Sequence, residues 1–197
     1  MQLVVLGIGS NRKFNDMSPC QLLQAACVEL SSILFKPSFS SVYKTKAMYV
    51  ENQEDFYNMV ALGYVNDEKD PFELLNQINS IEAKYGRERS KEIRFGPRSL
   101  DIDIELFGNK TINSARLTIP HERMKERQFV LIPLLEILTE TADIRAKEKI
   151  EEYSKCLEKL QKTDKNSEDF PVQKLGTLQV VLGNADSGSE WNYSNKN

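Results

Sequence analysis

Residues 94–108 read Arg-Phe-Gly-Pro-Arg-Ser-Leu-Asp-Ile-Asp-Ile-Glu-Leu-Phe-Gly, and the second half of the stretch alternates strictly. Leu100, Ile102, Ile104 and Leu106 fall on one side of a period-two repeat, with Asp101, Asp103 and Glu105 on the other. In a strand, that pattern sends an aliphatic row into a core and a carboxylate row to the opposite face. Carboxylates two residues apart sit about 6–7 Å from each other. At an effective dielectric of 20 their repulsion is on the order of 2–3 kcal/mol, so water or a cation must relieve it. Arg94 and Arg98 flank a Gly-Pro corner just upstream, and the acid row begins where this basic loop ends. Acids for a hard divalent metal beside arginines for phosphate oxygens equip phosphoryl-transfer sites. A solvated strand face would explain the acid pair taken alone.

The surrounding chain narrows the choice. Its 197 residues, 40% of them hydrophobic, suit one domain with an appendage. A net charge of −3 argues against a nucleic-acid coat or a polybasic membrane anchor, although basic residues concentrate between Lys84 and Arg98. Cys20, Cys27 and Cys156 stand in no metal-like spacing and point to a reducing, cytoplasmic compartment. The opening Met-Gln-Leu-Val-Val-Leu reads as a first strand rather than a signal peptide, and no apolar run is long enough to span a membrane.

Gln2 to Gly9 predicts a buried strand. Its exit, Gly-Ile-Gly-Ser-Asn-Arg, lacks both the third glycine of a dinucleotide fingerprint and the Gly-Lys-Ser/Thr of a phosphate loop. Ser18-Pro19 opens a helix that Pro37 stops, and Phe39–Thr45 and Phe56–Val65 predict strands on either side of a polar loop, 46–55. Asp70-Pro71 starts a second helix that Gly86 ends, and the acid-bearing strand follows the arginine loop, 87–99. Arg116–Pro120 reads as a short extended piece, Phe129–Leu138 as an apolar segment on the core, and Ala146–Gln161 as an amphipathic helix. The remainder, 162–197, has the texture of a polar, partly disordered extension with one strand expected at Thr177–Leu182. The expected division is a domain over 1–161 and this extension. The order βαββαβ predicts an α+β, ferredoxin-like sandwich: an antiparallel sheet with helices on one face, plus the C-terminal helix and tail. The uncovered face would carry the site.

These residues together resemble the 6-hydroxymethyl-7,8-dihydropterin pyrophosphokinase family over roughly residues 2–160. Arg94-Phe-Gly-Pro-Arg-Ser-Leu-Asp-Ile-Asp-Ile is close to the family signature. Gly-Ile-Gly-Ser-Asn at 7–11, Phe56-Tyr-Asn58, Gly86-Arg87-Glu-Arg89 and Pro120-His121-Glu-Arg-Met-Lys-Glu-Arg127-Gln-Phe129 occur in the family's order. The resemblance implies transfer of pyrophosphate from the co-substrate ATP to the pterin's hydroxymethyl oxygen, with release of AMP. It implies two Mg2+ ions on Asp101 and Asp103, and catalytic roles for Arg87, Arg98, Asp101 and Asp103. ATP would be bound by Arg87, Arg89, Arg98, Ile104, Arg116, Leu117, Thr118, His121 and Arg127. The pterin would meet Thr45, Met48, Phe56, Asn58, Phe95 and Phe129, with Phe56 and Phe129 stacking on its faces and Asn58 reading its edge. The implied partners are these small molecules alone, without nucleic acid, membrane or an obligate protein. No residue stands out as a general base, and the loops 46–55 and 87–99 are expected to close over the substrates.

Five positions depart from the family pattern. Phe95 replaces a tryptophan, Glu105 an aliphatic residue, Lys46-Ala47 a Pro-Pro pair, and Glu122 an aromatic residue. Two rivals of other classes share the pattern, and a non-catalytic homologue with a regulatory tail is a third alternative. An RNA-recognition domain has the same element order but needs an aromatic signature strand where this chain carries acids. A metal-dependent nuclease or nucleotidyl transferase could use the acids but has no need of Phe56, Asn58 and Phe129 together.

Overall fold

A computed structural model describes residues 1–47, 53–88, 96–163 and 172–178. The chain runs β1 (Gln2–Ser10), α1 (Pro19–Ile33), β2 (Phe35–Phe39), β3 (Val42–Thr45), β4 (Phe56–Val65), α2 (Pro71–Lys84) and β5 (Asp101–Phe107). After these come β6 (Ile112–Asn113), β7 (Thr118–Ile119), a 3-10 turn at Met124–Glu126, α3 (Gln128–Glu140), α4 (Ile144–Lys147), α5 (Ile150–Thr163) and β8 (Gln173–Gly176). The main sheet has the order β5-β1-β4-β3-β8, with β2 also paired to β4, and every pairing is antiparallel.

Local chemistry sets the helix starts. The Ser18 hydroxyl accepts the Gln21 N–H, and the Gln21 side chain accepts the Ser18 N–H at 2.8 Å, forming a capping box ahead of Pro19. Asp70 accepts the Phe72 N–H at 3.1 Å ahead of Pro71. Gly86 ends α2 at φ +85°, where a Cβ would run into the Phe14 ring at 2.1 Å.

Period-two patterning divides the sheet into two cores. Val4, Leu6, Ile8, Met59, Ala61, Ile102 and Ile104 pack against Leu23, Leu30, Leu74 and Ile78 of α1 and α2. Leu3, Val5, Val60 and Leu62 pack on the other face against Leu131, Leu134 and Leu138 of α3 and Tyr153 of α5. Each such fully buried aliphatic side chain contributes about 1.5–3 kcal/mol.

Four expectations need correction. The second face is not open along its length, because α3, α4 and α5 cover one half of it. Leu106 does not continue the aliphatic row. Leu6 faces Ile104 and Val5 faces Leu106, so Glu105 is an extra residue in the ladder and Leu106 turns to the second core. The strand expected at Phe39–Thr45 starts at Phe35 and breaks at Ser40–Ser41, where the Ser40 hydroxyl accepts the Val60 N–H at 2.9 Å in place of a backbone carbonyl. The helix expected at Ala146–Gln161 is two helices, Ile144–Lys147 and Ile150–Thr163. The tail also carries an unexpected strand, Gln173–Gly176; of the strand expected at Thr177–Leu182, residues 179–182 lie outside those described.

Candidate active site

Halfway along the second face the sheet changes character. β1 presents Leu3 and Val5 to the helices and then Gly7 and Gly9; β4 presents Leu62 and Val60 and then Asn58 and Phe56. β5 presents Leu106 and then Glu105, Asp103 and Asp101. Register places Gly9 opposite both Asn58 and Asp101, and Gly7 opposite Asp103. A Cβ on Gly9 would meet the Asn58 Oδ1 at 3.1 Å, and one on Gly7 the Glu105 Oε1 at 2.8 Å. The glycines therefore leave a backbone floor between an amide row and an acid row. Arg127, Phe129 and Val130 at the start of α3 wall the resulting cleft, which encloses about 930 Å³ including its open mouth.

The acid end is built around Asp101. Its two oxygens accept the side chains of Arg87 and Arg98. Arg87, 6% exposed, is also gripped by Glu82, 1% exposed, whose Oε1 accepts the Ile102 N–H at 2.8 Å. Asn11 stitches the Gly-Pro-Arg corner to the end of β1: its Oδ1 accepts the Arg98 N–H at 2.7 Å and its N–H donates to the Arg98 carbonyl at 3.0 Å. Burial works to raise the Asp101 carboxyl, but the Arg87 and Arg98 guanidinium groups outweigh it and hold it below the usual range. Asp103 is 40% exposed, with Arg127 at 3.8 Å as its ion-pair partner. Burial and then the Asp101 charge push its carboxyl up.

At the amide end, the Asn58 Nδ2 donates to the Thr45 Oγ1 at 2.9 Å. Phe56 and Phe129 line the same cleft, and the Arg127 guanidinium lies over the Phe129 ring at 5.7 Å from its centroid. His121 Nδ1 accepts the Arg123 N–H at 3.2 Å, and burial followed by the Arg127 charge lowers the imidazole pKa from its usual value. Glu105 lies 3.9 Å from that ring. It is the departure that the sequence expected on an open face, yet it is 1% exposed and its Oε2 has no hydrogen-bond partner among the described residues.

Not every expected residue converges here. Arg116 bonds Asn76 at 3.2 Å and stacks on Phe72, both on α2. Leu117 is buried in the helix-side core beside Thr118 on β7, and the Ile104 side chain lies in the same core. Met48, Arg89, Arg94 and Phe95 lie outside the described residues, as do the central parts of both expected closing loops.

Sequence reasoning missed Glu82 and Asn11. Glu82 had a signal: it follows Ile78 and Ile81 on the buried stripe of α2, where a carboxylate requires a cationic partner. As a metal site, Asp101 and Asp103 offer hard oxygens on an open cleft, the donor type that suits magnesium. Among the described residues no group of three or more His, Cys, Asp or Glu converges to hold an ion. Such an ion would therefore need phosphate and water oxygens to complete its shell.

Comparison with known proteins defines the class. The profile of the 7,8-dihydro-6-hydroxymethylpterin-pyrophosphokinase (HPPK) family matches residues 5–139, and the chain belongs to that family. A 2-amino-4-hydroxy-6-hydroxymethyldihydropteridine pyrophosphokinase of Haemophilus influenzae is 38% identical over 137 residues, covering 68% of this chain and 81% of the relative. A protein of the same name from Bacillus subtilis is 38% identical over 130 residues, 66% and 72% of the two chains. A crystal structure of an HPPK-DHPS in complex with substrates superposes with a TM-score of 0.57 at 15% identity, over 82% of this chain and 45% of that one, and so speaks to the fold alone. The chain is a pyrophosphokinase of folate biosynthesis, transferring a pyrophosphoryl group to hydroxymethyldihydropterin.

Proposed function

We propose that the cleft holds the pterin at its amide end and ATP at its acid end, within a ferredoxin-like core spanning residues 1–161. The observation that carries this reading is the shared strip of sheet: Asn58 and Asp101 flank Gly9, so the two ends meet across one residue. Phe56 and Phe129 stack on the pterin, Asn58 reads its edge, and Thr45, with Met48 and Phe95 from the family pattern, completes that half. Arg87, Arg98 and Arg127 take phosphate oxygens through planar paired donors, joined by Arg89 and His121; Arg116, Leu117, Thr118 and the Ile104 main chain form the adenosine side.

When bound at Asp101 and Asp103, two Mg2+ ions supply charge neutralisation of the triphosphate and alignment of the β-phosphorus. Asp101 spends the ligand-free state paired to Arg87 and Arg98, so the incoming triphosphate offers these arginines an alternative anion and would free the carboxylate as a donor for a cation. The hydroxymethyl oxygen attacks the β-phosphorus in line, the bond from that phosphorus to the α-bridging oxygen breaks, and AMP leaves with the electron pair. The hydroxyl proton is lost late to solvent. Catalysis is then chiefly positioning and electrostatics, for which no general base is needed. A cytoplasmic setting suits the free thiols of Cys20, Cys27 and Cys156.

The direct test measures AMP release from Mg·ATP with and without 6-hydroxymethyl-7,8-dihydropterin. Pterin-dependent AMP release is expected. Release of inorganic phosphate in place of AMP, or no dependence on the pterin, would refute the assignment.

A further inference from the structure

The segment beyond the matched family region adds a strand to the sheet that carries the site. β8 pairs antiparallel with β3, Tyr43 opposite Lys174 and Lys44 opposite Gln173. Leu175 and Leu178 pack against the helix-side core. The Lys174 Nζ reaches Glu136 Oε1 of α3 at 2.8 Å. Glu136, 13% exposed, also accepts the Ser41 N–H at 2.9 Å, the Ser41 hydroxyl at 2.7 Å and the Tyr43 hydroxyl at 3.1 Å. Donors from β8, β3 and the bend before β3 thus converge on one carboxylate of α3, and only Lys174 among them carries a charge.

β3 is four residues long, and β4 is its other neighbour. Without β8 its outer edge would expose unpaired backbone groups, and so short a strand frays readily. Its last residue, Thr45, holds the amide of Asn58. We propose that β8 is a brace for the pterin end of the cleft, with Lys174 and Glu136 as positioning residues that fix β3 so that Thr45 stays against Asn58. The inference rests on the reading of Thr45 and Asn58 as pterin contacts. It assigns the C-terminal extension a task in substrate binding, in cis and without touching substrate.

Equilibrium binding of the pterin and of α,β-methylene-ATP with Mg2+ tests the brace in the full chain, in Lys174→Met, in Lys174→Arg and in a chain ending at Thr163. Pterin affinity should fall about three- to tenfold in Lys174→Met and in the shortened chain, the scale of ordering one short segment. Nucleotide affinity should stay within about twofold, Lys174→Arg should restore pterin binding, and amide exchange over 42–45 should quicken in Lys174→Met. Should the shortened chain not fold, Lys174→Met decides, since it keeps the strand's main chain. Equal weakening of both ligands overturns the brace. Pterin affinity that falls in Asn58→Ala but not in Lys174→Met overturns the brace alone. Pterin affinity that Asn58→Ala leaves unchanged overturns the pterin-site reading and the brace with it.

Discussion

The Glu82 carboxylate near the C-terminal end of α2 binds the guanidinium of Arg87, and the same Oε1 accepts a main-chain N–H of β5, that of Ile102. Arg87 is therefore aimed at Asp101 by an acid that itself lies outside the cleft lining. Glu82→Ala leaves a buried guanidinium without this partner, a change that costs about 3–5 kcal/mol in comparable pairs. Glu82→Gln keeps the acceptor and should cost less. Both should lower kcat, by about ten- to a hundredfold for misplacement of one phosphate donor. Chemical denaturation with steady-state kinetics checks this; a stable Glu82→Ala enzyme with unchanged kcat contradicts the positioning role.

Asp101 and Asp103 differ in what they do for the fold. Asp101→Ala strips two arginines of their shared partner, whereas Asp103→Ala removes a half-exposed group with one distant ion pair. Both should reduce turnover by about a hundredfold or more. Only Asp101→Ala should also lower the melting temperature of the ligand-free protein. Equal melting temperatures would show that the arginine pairing carries no net stability.

Glu105 should make stability fall as pH rises. Burial, then the Asp103 charge, push its carboxyl from 4.5 up to about 8. The folded state thus keeps a proton that the unfolded chain releases near 4.5. Stability linked to this group is full below that pH and is lost progressively up to about 8. Glu105→Leu removes the loss. Its melting temperature should exceed the parent's by a margin that grows from pH 5 to pH 8, reaching on the order of 10 °C. Thermal denaturation without ligands at the two pH values measures it, and a margin independent of pH argues against a buried proton.

Phe129 separates the two ligands. Phe129→Ala removes one face of the aromatic pair and the ring beneath Arg127. It should weaken pterin binding about tenfold or more, with a smaller effect on the nucleotide analogue through Arg127. Titration calorimetry with each ligand decides, and equal losses would remove Phe129 from the pterin half.

The sequence by itself determined the elements whose signals are local. The strand over 56–65 and the helix opening at Asp70-Pro71 were legible because residue period and capping depend on neighbours a few positions away. The acid row, the arginine corner and the Phe56–Asn58 spacing were legible for the same reason, and the motif order carried the family. Tertiary structure alone decided the rest. The extra residue at Glu105, the Ser40–Ser41 break and the register of β8 depend on how a partner strand lines up, which no short window contains. The same holds for the helices that cover half of the second face, for Glu82 under Arg87, and for the turn of Arg116 toward α2. Each is settled by burial and hydrogen-bond satisfaction between segments far apart in the chain, because an unpaired polar group in a packed interior is costly whatever its local sequence.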